Sequence, residues 1–229
     1  MNRADALPGG KLAFKLTSAD DLFPTPLLRF EVADADKLNK TLLKEIAKRR
    51  PMESGMIKSN RKGWHSDRDL FDRKEPAHAT LAQLLLRMMA QATKTVAPDA
   101  DFTDVELVAD GWVNVNPPGA YNSPHDHIGG FWSGVYYVTV PESQGHGGAI
   151  EFLSPHKPLP GHGIIDAPVT ANKLVIRPET GTVLMFPSSV VHWVHPNDSD
   201  EDRVTIAFNG HFRRKRPNQA PLGKPGARR

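Results

Sequence analysis

Residues 112–116 read WVNVN. Successive side chains of an extended strand point to opposite faces, so Trp112, Asn114 and Asn116 share one face and Val113 and Val115 the other. The result is a strand with one apolar side and one side that carries amides. The same texture recurs from Val105 onward in short runs divided by Pro, Gly and Asn. These are ELVADGWVNVN (106–116), FWSGVYYVTV (131–140), GAIEFL (148–153), NKLVIRP (172–178), TVLMFP (182–187), VVHWVHP (190–196) and RVTIAFNGHF (203–212). Short strands at this spacing, with no helical pattern between them, predict an antiparallel sandwich or barrel.

A jelly roll, the cupin-like double-stranded β-helix, satisfies that pattern. Upstream, LLRFEV (27–32) suits a strand. Asp34 or Asp36 is placed to cap a helix that runs to about Arg49, with Leu38, Leu42, Leu43 and Ile46 on one face. A polar stretch containing SNRKGWHS (59–66) follows, then a second helix from Pro76 or Ala77 to Val96 with Leu81, Leu84, Leu85, Met88 and Met89 as its apolar stripe. The fold class expected is mainly β with helical support (α+β). The chain is read as a single domain, 1–229: an α/β support over 1–104, a jelly-roll core over 105–212 and a basic flexible tail over 213–229.

Composition narrows the function. A length of 229 residues allows one large β-rich domain with a helical annex. With no cysteine, disulfides and thiolate ligands are excluded, and any metal must rest on His, Asp or Glu. No apolar run is long enough to span a bilayer, and the N-terminal residues lack the pattern of a secretory signal. A cytoplasmic protein without a membrane partner is expected. The net charge of +3 comes from Arg213, Arg214, Lys215, Arg216, Lys224, Arg228 and Arg229. Without these seven, 22 basic residues face 26 acidic ones, so the body is mildly acidic. Contact with nucleic acid is expected only as non-specific attraction through that tail. The oligomeric state is left open.

The chemistry gathers on histidines. His125 and His127 flank Asp126, and on an extended backbone both imidazoles point to one side. A third, His192, arriving from a distant strand would complete three ligands on one face of a metal, as in facial-triad non-haem iron sites. His195 is its competitor but faces the other side of an extended strand. His65, His78, His146, His156, His162 and His211 are assigned to loops, a helix or the tail, with no metal role. Asn114, mid-strand, faces the same polar cavity, whereas Asn116 and Asn122 also suit the turn at Pro117-Pro118-Gly119. Arg203 and Thr205 share a strand face, and a guanidinium beside a hydroxyl is a clamp for a carboxylate. The bland reading of Arg203 is a surface pairing with Asp200, Glu201 or Asp202. The stretch Gly129-Gly130-Phe131-Trp132 and the loop from His156 to Pro168 are expected to border the entrance.

From Trp112 to Asn209 the chain resembles the Fe(II)/2-oxoglutarate-dependent oxygenase superfamily, and more narrowly a bacterial and phage 2OG-Fe(II) oxygenase group with an H-x-H motif. The motifs WVNVN, HDH (125–127), SGVYYV (133–138), GTVLMFP (181–187), His192 and RVTIAFN (203–209) occur in that group's order. The segments LFPTPLLRFEV (22–32) and SNRKGWHS extend the likeness to nearly the whole chain. The resemblance implies that His125, His127 and His192 hold Fe(II). It also implies that 2-oxoglutarate is the co-substrate, with its far carboxylate on Arg203 and Thr205 together with Tyr137 or Tyr136, of which parity favours Tyr137. Dioxygen would be the oxidant, and a small molecule such as an amino acid derivative, or a peptide, the substrate to be hydroxylated.

One departure is chemical. The broad superfamily has Asp or Glu where this chain has His127, leaving the metal site one charge more positive. Two arrangements are open: His127 as third ligand, or His127 standing behind a two-His site. Two other classes also fit the strand pattern, a three-His cupin-type dioxygenase that uses no 2-oxoglutarate and a non-catalytic ligand-binding jelly roll.

Overall fold

The computed structural model describes residues 15–157, 163–165 and 167–215. β1 (Leu28–Glu31) leads into α1 (Ala35–Arg49), and β2 (Asn60–Arg61) and β3 (Trp64–His65) precede α2 (Pro76–Val96). Eight strands follow: β4 (Val105–Asn116), β5 (Tyr121–His125), β6 (Trp132–Thr139), β7 (Ile150–Leu153), β8 (Lys173–Ile176), β9 (Thr182–Pro187), β10 (His192–Val194) and β11 (Arg203–Arg214). They form a six-stranded sheet in the order β1-β9-β6-β11-β4-β3 and a five-stranded sheet in the order β2-β5-β10-β7-β8. The pairs are antiparallel throughout. The mainly β, helix-supported jelly roll expected from the sequence is the architecture observed.

Period-two alternation divides the side chains of the larger sheet between two cores. Val113, Val115, Tyr136, Val138, Val183, Met185, Val204, Ile206 and Phe208 point outward and pack with Leu42 and Ile46 of α1 and Leu81, Leu85 and Met89 of α2. Their parity partners Tyr137, Leu184 and Phe186 point inward and meet Ile150, Phe152 and Ile176 of the smaller sheet. Burying each large apolar side chain contributes roughly 1.5–3 kcal/mol, so the helical layer is held by the sheet rather than by helix propensity. Leu81, Leu85 and Met89 repeat every fourth residue and are fully buried, whereas Leu43 has 37% of its surface exposed and lies off the α1 stripe. Asp34 is the N-cap of α1, yet it adopts a left-handed backbone and its side chain makes no capping bond. Pro76 begins α2 at the position where a missing N–H costs nothing. Gly134 of SGVYYV marks a close approach: a Cβ there would press into the Phe208 ring and lie 2.8 Å from the Leu184 carbonyl oxygen.

Two local features depart from the sequence expectation. The polar stretch SNRKGWHS contains strands β2 and β3, joined by Lys62 with φ 62°. β2 pairs with β5 in one sheet and β3 with β4 in the other, so this joint ties the two sheets together. Its pairs are two residues long, too short to register as alternation. β11 continues to Arg214, two residues into the segment read as tail, and Arg213 forms an ion pair with Glu106 of β4. Residues 216–229, the bulk of that segment, lie outside the described residues. Among the described residues no helix is long and apolar enough to cross a membrane.

Candidate active site

His192 opens β10 and lies directly opposite His125, the last residue of β5. His127 follows β5 in a turn, where its backbone N–H donates to the Ser188 carbonyl at 2.9 Å. The H-x-H pair is therefore not one uninterrupted strand, but both imidazoles converge with His192. One ring nitrogen of each lies within 4.8 Å of the others, the only such His/Asp/Glu cluster among the described residues. Asp126 is exposed and does not join it.

Backbone carbonyls orient the imidazoles. His125 Nδ1 lies 2.7 Å from the Ser123 carbonyl oxygen and His192 Nδ1 lies 3.0 Å from that of Val190. An acceptor at Nδ1 requires the proton there, which leaves Nε2 as the free lone pair a metal needs. Burial, reinforced by the neighbouring His125 ring, pushes His192 down to about 3 and His127 to about 4. His125 is lowered as well, chiefly by burial. All three are thus neutral near pH 7 and able to ligate without first losing a proton. His127 is also stacked against Trp112, with ring centroids 5.7 Å apart, and hydrogen-bonds the Asn209 side chain.

Deeper in the same cavity, three adjacent strands supply the polar residues. Thr205 of β11 lies opposite Tyr137 of β6 on one side and Asn114 of β4 on the other. Arg203, two residues earlier on the same face, is 3% exposed and carries its guanidinium carbon 5.3 Å from the centroid of the Tyr137 ring. No ion pair reaches Arg203 among the described residues, and Asp202 instead pairs with Arg50 at 3.0 Å. Arg203 Nε, Tyr137 Oη and Asn114 Oδ1 are buried without hydrogen-bond partners among the described residues. A buried guanidinium without a counter-charge is costly, so this cluster is a site built for an anion. Burial pushes the Tyr137 hydroxyl up to about 12, keeping it a neutral donor. Tyr136, next in the chain, faces away and donates to Asn39 Oδ1 at 2.6 Å.

Residues 110–209 match the family model described as "Putative 2OG-Fe(II) oxygenase". The matched span holds the three histidines, Asn114, Tyr137, Arg203 and Thr205. This chain carries a 2OG-Fe(II) oxygenase domain. Fe(II) and 2-oxoglutarate are the cofactor and co-substrate of that family, and the convergent imidazoles and the unpaired Arg203 suit them. Solved structures share the fold of this oxygenase. A Pseudomonas putida prolyl-4-hydroxylase is 16% identical with a TM-score of 0.59, covering 83% of this chain and 93% of its own. A Trichoplax adhaerens prolyl hydroxylase, in complex with a hypoxia inducible factor peptide fragment, is 12% identical with a TM-score of 0.56 (81% and 83% covered). HygX from Streptomyces hygroscopicus, with nickel, 2-oxoglutarate and hygromycin B bound, is 14% identical with a TM-score of 0.53 (82% and 83% covered). No curated protein matches the chain.

Of the other histidines, His195 turns away to Glu151 Oε2 at 3.1 Å. His65 and His211 lie in β3 and β11 rather than in a loop and the tail, and His162 is outside the described residues. Asn116 and Asn122 are bonded to each other at 3.0 Å, and Asn122 reaches Ser59 Oγ, which lies 3.3 Å from His125 Nε2. Trp132 is not an entrance residue: it is buried on the helical side, its indole N–H donating to Thr93 Oγ1 at 2.8 Å. Part of the loop from His156 to Pro168 (158–162 and 166) lies outside the described residues. The sequence reading passed over Asn209, whose parity with Arg203 and Thr205 carried the signal, and Ser59, for which no local signal existed.

Proposed function

We propose that this oxygenase hydroxylates a small molecule such as an amino acid derivative, or a peptide, with His125, His127 and His192 all holding Fe(II). Arg203, Thr205 and Tyr137 bind the far carboxylate of 2-oxoglutarate, and Asn114 borders the co-substrate. The observation that carries this reading is the buried, uncompensated Arg203 in the cavity that also holds the three imidazoles. A three-His dioxygenase without an oxo-acid co-substrate has no use for such a cation. Structural neighbours named for a peptide complex and for hygromycin B support both substrate sizes for this fold.

When bound, Fe(II) and 2-oxoglutarate supply the oxidising chemistry by activating dioxygen at the metal. The protein's part is orientation and exclusion of water. The Ser123 and Val190 carbonyls hold His125 and His192 in the ligating tautomer. Trp112 and Asn209 hold the His127 ring in register with them. Arg203 offers fixed donors inside a low-dielectric wall of Ile150, Phe186 and Val194, where a charge-assisted bond is stronger than in water. With a neutral imidazole at His127 in place of a carboxylate, a metal held there would be one charge more positive and would favour an anionic co-substrate.

The test is anaerobic addition of Fe(II) and 2-oxoglutarate. A weak visible charge-transfer band that disappears in Arg203→Ala at moderate 2-oxoglutarate is the expected result. Bound iron without a band would overturn the reading. Substrate-stimulated succinate release then screens the candidate compounds.

A further inference from the structure

Outside the imidazoles a second, wider cavity of about 560 Å³ opens to solvent, its floor including His125, His127 and Trp112. That volume is in the range of small-molecule sites. Arg68, in the turn after β3, reaches over its floor. The guanidinium carbon sits 4.7 Å above the Trp112 ring, a cation–π distance. Its Nε and Nη2 both donate to Asp110 Oδ1, at 3.1 and 2.7 Å. Nη1 has no hydrogen-bond partner among the described residues, and 43% of the side chain is exposed. Arg68 is thus pinned on one edge and held over an indole, with its Nη1/Nη2 edge free among the described residues. Asp110 is itself fixed by Asn209 and His211, at 3.2 and 3.3 Å. Lys58 and Asp126 line the same cavity.

We infer that this cavity is the substrate site and that Arg68 receives a carboxylate of the substrate. The inference rests on the oxygenase reading and names the substrate class: a small carboxylic acid held by its anionic end beside the metal-facing imidazoles. The free edge of the guanidinium presents two parallel N–H groups, the pattern a planar carboxylate accepts bidentately. The alternative, that Arg68 only neutralises Asp110, leaves its indole stacking and its open edge without purpose. Trp112 links the two sites, since it stacks on His127 on the cavity side and carries Arg68. A substrate anchored at Arg68 would therefore lie in the cavity that His125 and His127 also line.

The test is calorimetric titration of the protein loaded anaerobically with Fe(II) and 2-oxoglutarate. The probes are a panel of N-acetyl-L-amino acids, their primary amides and O-phosphoethanolamine. Expected is at least one acid that binds at least tenfold more tightly than its amide, a preference abolished in Arg68→Gln and only partly kept in Arg68→Lys. Acid–amide discrimination is read on the unmodified protein, so it stands even if the Arg68 variants fold poorly. The inference is overturned if no acid binds, if acids and amides bind alike, if only the phosphate binds, or if Arg68→Gln keeps the preference. Absence of the charge-transfer band in the unmodified protein overturns the oxygenase reading instead. A normal band without discrimination overturns only the carboxylate assignment.

Discussion

His192 is the cross-strand partner of His125, the two being directly opposite in the β5–β10 pair with ring centroids 4.5 Å apart. A backbone ladder thus sets their separation, and each ring is locked by a carbonyl two residues before it. The two imidazoles are thus already convergent before any metal binds. Removing either residue should abolish iron binding while leaving the fold intact. Loss of a supporting partner typically costs 10–100-fold in metal affinity, and loss of a ligand should exceed that. Iron content after dialysis of His125→Ala and His192→Ala, beside circular dichroism, checks it.

His127 permits a sharper comparison. His127→Asp restores the carboxylate of the broader superfamily and should keep iron, whereas His127→Ala should weaken it at least tenfold. Equal iron retention in His127→Ala and the parent protein would place this ring behind the site rather than on the metal.

Arg203 should separate stability from function. Its buried charge has no counter-ion among the described residues, so Arg203→Met is expected to leave the apo-protein's thermal midpoint unchanged or raise it. The same substitution should raise the KM for 2-oxoglutarate by roughly 30-fold or more, about 2 kcal/mol at the low end for a lost buried charge partner. A lowered midpoint with unchanged KM would contradict the assignment.

Tyr136 and Tyr137 offer a matched pair. Tyr136→Phe breaks a buried bond to Asn39 and should cost about 1–3 kcal/mol in chemical denaturation. Tyr137→Phe removes a buried hydroxyl that has no partner among the described residues, so the apo-protein should lose little stability while its 2-oxoglutarate affinity falls. Neighbouring residues would thus report opposite faces of one strand.

Acid should destabilise the apo-protein early. His65, His125, His127 and His192 are all lowered by burial, the last two to about 4 and about 3. Below the ordinary histidine range the unfolded chain binds protons that the folded chain refuses, so stability falls as pH drops. Denaturation midpoints should be flat above about pH 7 and decline from about 6.5 toward 4. Saturating Fe(II), which holds the imidazoles neutral, should flatten that decline. A midpoint that is constant from pH 7 to 5 would contradict the burial of these rings.

The local record was sufficient for much of this. Alternation put Asn114 and Val113 on opposite faces of WVNVN and Arg203 and Thr205 on one face of RVTIAFN, and allowed only one of Tyr136 and Tyr137 to face inward, because strand geometry makes the face of a residue depend only on parity. Helical spacing likewise gave the stripe Leu81, Leu84, Leu85, Met88 and Met89, of which Leu81, Leu85 and Met89 are fully buried. Which strands lie side by side does not follow from parity. Only tertiary structure put β11 between β6 and β4, brought Ser59 to His125 through a two-residue strand, and set Arg68 on the indole of Trp112. It also showed that, among the described residues, Arg203 lacks the acidic partner that three nearby carboxylates had suggested. Those outcomes depend on contacts between residues distant in sequence, whose energies are shared across the whole sheet and leave no periodic trace along the chain.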